Sequence, residues 1–134
     1  MHRLAHLALV GATIGTATST ILPWGTSGTR TRTSYELVGA AERAGLLTSG
    51  PARLAVVWYL VPALCGLVLL AASLRSVRMA AVASGTLGVV VATGGVLVLR
   101  SPLMTEPSAV VGLGGGVATC VAATVTLITA RRKT

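Results

Sequence analysis

Four long apolar runs constrain the fold of this chain more than any other feature. They cover about residues 4–24, 53–74, 79–99 and 108–130. At about 1.5 Å of rise per residue, each is long enough as a helix to cross a hydrocarbon core of roughly 30 Å. Charged residues make up 10% of the chain against 53% hydrophobic ones, too little polar surface for a soluble domain of 134 residues. The expectation is an all-α integral membrane protein, a single transmembrane domain over residues 1–134 folded as a four-helix bundle. The length of the first run favours a retained span over a cleaved signal peptide.

One long polar interval, residues 25–52, separates the first two runs and gathers most of the unusual side chains. Pro23 and Gly25 end the first helix, and Trp24 suits the headgroup level. Gly, Ser, Thr and Arg from Gly25 to Arg32 read as a solvated, turn-rich loop. Thr33-Ser34-Tyr35-Glu36 then matches a capping box, a hydroxyl residue followed three later by Glu, so a helix should start there. Leu37, Ala40, Ala41, Ala44 and Leu47 fall on one side of it and Glu36, Glu42 and Arg43 on the other, making a short amphipathic helix stopped by Ser49-Gly50-Pro51. This helix either lies on the bilayer or docks a partner.

Small residues mark candidate packing faces on the spans. Gly11 and Gly15 have the small-xxx-small spacing that lets backbones approach closely. Gly85 and Gly88 in the third run, and Gly112 and Gly116 in the fourth, offer the same opportunity. Pro62 predicts a kink in the second run.

Four spans would place both termini on one side. That side carries Arg3, Arg75, Arg78, Arg131, Arg132 and Lys133, and the other carries Arg30, Arg32, Arg43, Arg53 and Arg100. Because the rule weights short flanks, and Arg30, Arg32 and Arg43 sit in the long interval, the termini are expected to be cytoplasmic. Trp24, Tyr35, Trp58 and Tyr59 then all approach the outer interface, with all three glutamates.

The net charge of +8 is spread over the ends of apolar runs, where it meets anionic headgroups rather than nucleic acid. No catalytic residue is expected: the chain has no Asp, and neither Cys65 nor Cys120 has a His or acid nearby in sequence. His2 and His6 share a helix face but lack further ligands, so no metal and no cofactor are expected. The cysteines read as small packing residues. The spans lack internal ionisable groups, which argues against transport by this chain alone.

In the polar interval, Trp24, Arg30, Arg32, Tyr35 and Glu36 have two readings. They are a recognition edge for a partner, since Trp, Tyr and Arg concentrate binding energy, or a structural set of lipid anchors and a helix cap. The segment Leu22-Pro23-Trp24, Ser27-Gly28, Arg32 and Ser34-Tyr35-Glu36-Leu37 resembles a pattern in small actinobacterial, particularly mycobacterial, membrane proteins with four spans. Such proteins are similar to accessory subunits of large envelope assemblies, including the mycobacterial MCE lipid importers. The resemblance implies a non-catalytic accessory or stabilising subunit of a bacterial inner-membrane complex, set in envelope lipid transport and bound to other membrane subunits as a hetero-oligomer. Two alternatives stand beside it: a small regulator or sensor of envelope state acting through the outer interval, and a self-associating channel or carrier.

Overall fold

The computed structural model describes residues 2–27, 29–43, 56–100 and 104–131. In chain order the elements are α1 (His2–Ser19), β1 (Pro23–Ser27), β2 (Arg30–Thr33), α2 (Ser34–Arg43), a helical turn over 56–59, α3 (Val61–Ser73), α4 (Val77–Leu99), β3 (Met104–Thr105) and α5 (Pro107–Arg131). The chain is mostly helical, with its long apolar runs carried by helices.

Helices α1, α3, α4 and α5 close a ring of contacts. The most extensive interface joins α4 to α5; α1 lies against α5, α3 against α4, and α1 also touches α3 and α4. Two of the four, α4 and α5, are long and apolar enough to cross a membrane. The other two carry apolar stretches of 13 residues, Leu7–Ser19 and Val61–Ser73. The first is diluted by His2, Arg3 and His6 ahead of it and by its own Thr13, Thr16, Thr18 and Ser19. The second starts late: Pro62 sits in the first turn of α3 instead of kinking a longer helix, and Leu60 caps it. A proline is well tolerated there, where the missing N–H has no helical partner anyway. Arg53, at the start of the expected second span, lies outside the described residues.

The α4–α5 interface explains the glycine content of those helices. A Cβ on Gly88 would meet the Gly116 carbonyl oxygen at 2.6 Å and Cys120 Sγ at 2.7 Å, and one on Gly116 would meet Ala92 N and Gly88 O, each at 2.8 Å. The two backbones touch, which only glycine permits. At Gly85 a Cβ would find only ordinary contact with Ala123.

Gly11 and Gly15 behave differently. No described atom lies within 4 Å of a Cβ built on either, and both are exposed. The buried face of α1 is Leu9, Thr13, Thr16 and Thr20, at i, i+4, i+7 and i+11, on the opposite side of a helix with 3.6 residues per turn. Thr13 Oγ1 bonds Ser84 Oγ at 2.8 Å, and Thr16 Oγ1 bonds Thr119 Oγ1 at 2.7 Å. Hydroxyls, not the glycines of α1 itself, join α1 to its neighbours inside this chain, and at Thr16 it is Gly115 of α5 that leaves the room.

Two apolar clusters lie at the two ends of the ring. One is built on Leu9, Ala71, Ala80, Ala81 and Ala123. The other is built on Trp24, Trp58, Val61, Leu87, Val91 and Ala109, with Tyr35, Leu37 and Val38 packed against it. Between α3 and α4, Arg75 takes a left-handed conformation with φ of 57°. Ser76 N bonds Ala71 O at 2.9 Å and Arg75 N bonds Ala72 O at 3.1 Å, the hydrogen-bond pair of a Schellman stop with arginine where glycine is usual.

The polar interval is not the irregular loop its composition implied. Residues 23–33 form a hairpin, with Thr26 opposite Thr31 and Ser27 opposite Arg30. The all-α expectation therefore needs a small correction. β3, drawn from the connection before α5, adds to the other edge of β1, giving an antiparallel sheet in the order β2-β1-β3. Threonines recur through the hairpin, and a β-branched residue suits a pleated surface.

Candidate functional site

The hairpin and α2 form a polar headpiece on one end of the helical ring, held by the aromatic cluster beneath it. Trp24, immediately after the strand-opening Pro23, is fully buried. Its ring rests against Gly112 of α5, and its Nε1 donates to the Ser19 carbonyl at 2.7 Å, tying the hairpin to the end of α1. Trp58 meets it edge to face, with ring centroids 5.3 Å apart and planes at 75°, a favoured arrangement for aromatic quadrupoles. Trp58 in turn rests against Gly94 of α4. Its Nε1 donates to Ser34 Oγ at 3.1 Å, while Ser34 Oγ donates to the Thr20 carbonyl at 2.5 Å. Ser34, the buried first residue of α2, is thereby a joint between α1, α2 and the turn at 56–59.

The start of α2 follows its sequence signature. Thr33 N donates to Glu36 Oε2 at 2.8 Å and Glu36 N donates to Thr33 Oγ1 at 3.3 Å, so the capping box is closed in both directions. Leu37 and Val38 face the cluster below. Ala44 and Leu47, expected on the same face, lie outside the described residues.

The headpiece is also fastened to α5. Thr26 Oγ1 donates to Glu106 Oε1 at 2.7 Å, and Glu106 N donates to the Trp24 carbonyl at 3.2 Å. Ser108 Oγ donates to the Pro23 carbonyl. Nothing in the sequence pairs Thr26 with a glutamate 80 positions away.

The chain matches no protein-family model, no curated protein and no solved structure. The reading of this site therefore stands on its geometry.

The five residues named from the sequence do not form one surface. Trp24 is interior, so no partner reaches it. Glu36 is exposed but is engaged in the cap. Tyr35 is half-buried, its hydroxyl 3.4 Å from Thr20 Oγ1 and its ring 6.2 Å from that of Tyr59. Arg30 is exposed on β2, and Arg32, two residues on, is half-buried with an Nε that is enclosed and lacks a partner among the described residues. Residues two apart on a strand lie on the same face, so these two arginines share one side of the edge strand.

Sequence reasoning missed Thr20, Ser34 and Trp58 as structural joints, and it missed Thr13 and Thr16. The available signal was the spacing of hydroxyl residues along α1, which matches a helical stripe as closely as the glycines do. Among the described residues no group of three His, Cys, Asp or Glu side chains converges. Ser34 Oγ is bonded to a carbonyl and an indole, neither of which is a base for it. Cys120 Sγ lies 3.7 Å from the Gly85 carbonyl, a packing position. The arrangement is a small platform in which most buried polar side chains bond one another, with Arg30 exposed and Arg32 half-buried on its edge strand.

Proposed function

We propose that the chain is a multi-pass protein of a bacterial inner membrane that acts without catalysis, as an accessory or stabilising subunit presenting its headpiece to a larger complex. In this reading all four helices of the ring are spans, the termini are cytoplasmic and the headpiece lies outside. Support for four spans comes from the ring itself, since α1 and α3 pack alongside the two helices long enough to cross. At 18 residues α1 reaches about 27 Å, close to the thickness of a hydrocarbon core. Exposed leucines and valines such as Leu67, Leu70, Val89, Val121 and Val125 cover the outside of the ring, as lipid contact requires.

The observation that carries the reading is the contrast within the headpiece. Trp24, Ser34, Trp58, Thr26 and Glu106 are hydrogen-bonded within it, whereas Arg30 and the half-buried Arg32 on the edge strand have no ion pair with a described glutamate, and Arg32 Nε has no partner among the described residues. A fixed shape with outward arginines is suited to recognition. Envelope lipid transport as the setting rests on the sequence resemblance alone.

Tagging the C-terminus at the native locus and extracting in mild detergent tests this. Copurification of other membrane subunits at a constant ratio is expected, weakened by the double substitution R30A/R32A with the fold intact by circular dichroism. Recovery of the chain alone, or a ratio indifferent to that substitution, overturns the reading.

A further inference from the structure

The four aromatic side chains of the headpiece end differ in what their polar tips do. Trp24 and Trp58 donate inward, and Tyr35 OH faces Thr20. Tyr59 alone turns outward: it is 51% exposed, and its hydroxyl has no partner among the described residues. Its ring lies 6.2 Å from that of Tyr35, tilted by 32°.

That hydroxyl and the Arg43 guanidinium approach the same glycine. A Cβ built on Gly39 would sit 3.7 Å from Arg43 Nη1 and 3.8 Å from Tyr59 OH, so both donors reach the surface of α2 at a position that carries no side chain. Arg43 is exposed and has no ion pair among the described residues. Glu42, its neighbour in sequence, does not compensate it, because adjacent helical residues do not face each other. Arg43 suits the last turn of α2 through the helix dipole, but that role needs no tyrosine hydroxyl at the same glycine.

Below the two donors the surface is apolar. Val56 and Leu60, at i−3 and i+1 from Tyr59, are 62% and 50% exposed, and Leu67 and Leu70 continue the exposed track along α3 at 43% and 56%. A cationic fork and a phenol above an apolar helix face match a molecule with a phosphate at one end and a hydrocarbon chain at the other.

We propose that Arg43 and Tyr59, both reaching Gly39, bind the phosphate of one anionic phospholipid whose acyl chain lies along Val56, Leu60 and Leu67. The assignment rests on the membrane reading above but not on any partner subunit. Arg43 supplies charge-assisted hydrogen bonds, Tyr59 OH a second donor, and Gly39 the room for the phosphate oxygens.

The test is native mass spectrometry of the purified full chain, titrated with phosphatidylglycerol and with phosphatidylcholine of the same acyl chains. One phosphatidylglycerol is expected to be retained at least about tenfold more strongly than phosphatidylcholine, and R43Q and Y59F each to lower that retention by about ten- to a hundredfold, the worth of a hydrogen bond to a charged group. R100Q, which removes the same charge from another exposed arginine, is expected to change nothing. Equal retention of the two lipids overturns the proposal, as does indifference to R43Q and Y59F, or an equal loss in R100Q, which would mean a diffuse field. Displacement of the lipid by millimolar inorganic phosphate would also overturn it, since the site would then serve a free anion. Because the chain is tested alone, failure here leaves copurification of subunits unaffected, and failure of copurification leaves this result standing.

Discussion

A methyl group added at Gly88 or Gly116 would drive α4 and α5 apart, because the atoms in its way are the facing backbone and the Cys120 thiol. At Gly11 or Gly15 the same methyl meets nothing. Gly116→Ala is therefore expected to destabilise the chain by about 1–3 kcal/mol, the usual cost of overpacking. Gly11→Ala is expected to be neutral or to stabilise by up to about 1 kcal/mol through helix propensity. Thermal unfolding in detergent, followed by the fluorescence of Trp24 and Trp58, separates the two; a common loss would refute the distinction. The spacing of small residues was thus legible in the sequence, but not which helix face it served. In α1 both faces are apolar enough to be a membrane helix, and the deciding residues are Thr13 and Thr16, whose hydroxyls need partners. Each such interhelical bond is worth about 0.6 kcal/mol in measured membrane proteins, enough together to fix the rotation of α1.

Within single elements, sequence signals and structure agree where the interaction is local. The capping box at Thr33 and Glu36 involves two residues three apart, and it is closed as its pattern predicts. Thr33→Ala is expected to cost about 1 kcal/mol, the typical worth of an N-cap, and to loosen Ser34 from Thr20. Faster amide exchange over 34–38 without change in α4 and α5 would show it; unchanged exchange there would count against the cap as the anchor of α2. The hairpin was less legible, since Gly, Thr and Arg describe a loop and a short twisted ribbon equally well. β3 could not be read at all: it is two residues long and gains its identity only from Gly25 and Thr26 across the sheet. Trp24 was misjudged for the same reason. Its place is decided by Gly112, on a helix far along the chain.

At the scale of the whole molecule, the orientation of the ring is the point most open to direct test. With C65A and C120A as background, a cysteine placed at Arg30 is expected to react with a membrane-impermeant maleimide in intact cells, while one at Ser76 reacts only after lysis. The reverse pattern would invert the topology, and reaction at both in intact cells would remove the four-span arrangement.

The sheet has a consequence for synthesis as well. Its central strand leaves the ribosome first, yet one of its two neighbours and the glycine that seats Trp24 arrive some eighty residues later. Until α5 is inserted, the indole of Trp24 lacks its seat against Gly112, Thr26 has no glutamate and one strand edge is unpaired. Contacts so distant in sequence form slowly because a long loop must close first. The headpiece is therefore the last part of the chain to mature, and a finished headpiece certifies that every helix beneath it has been made.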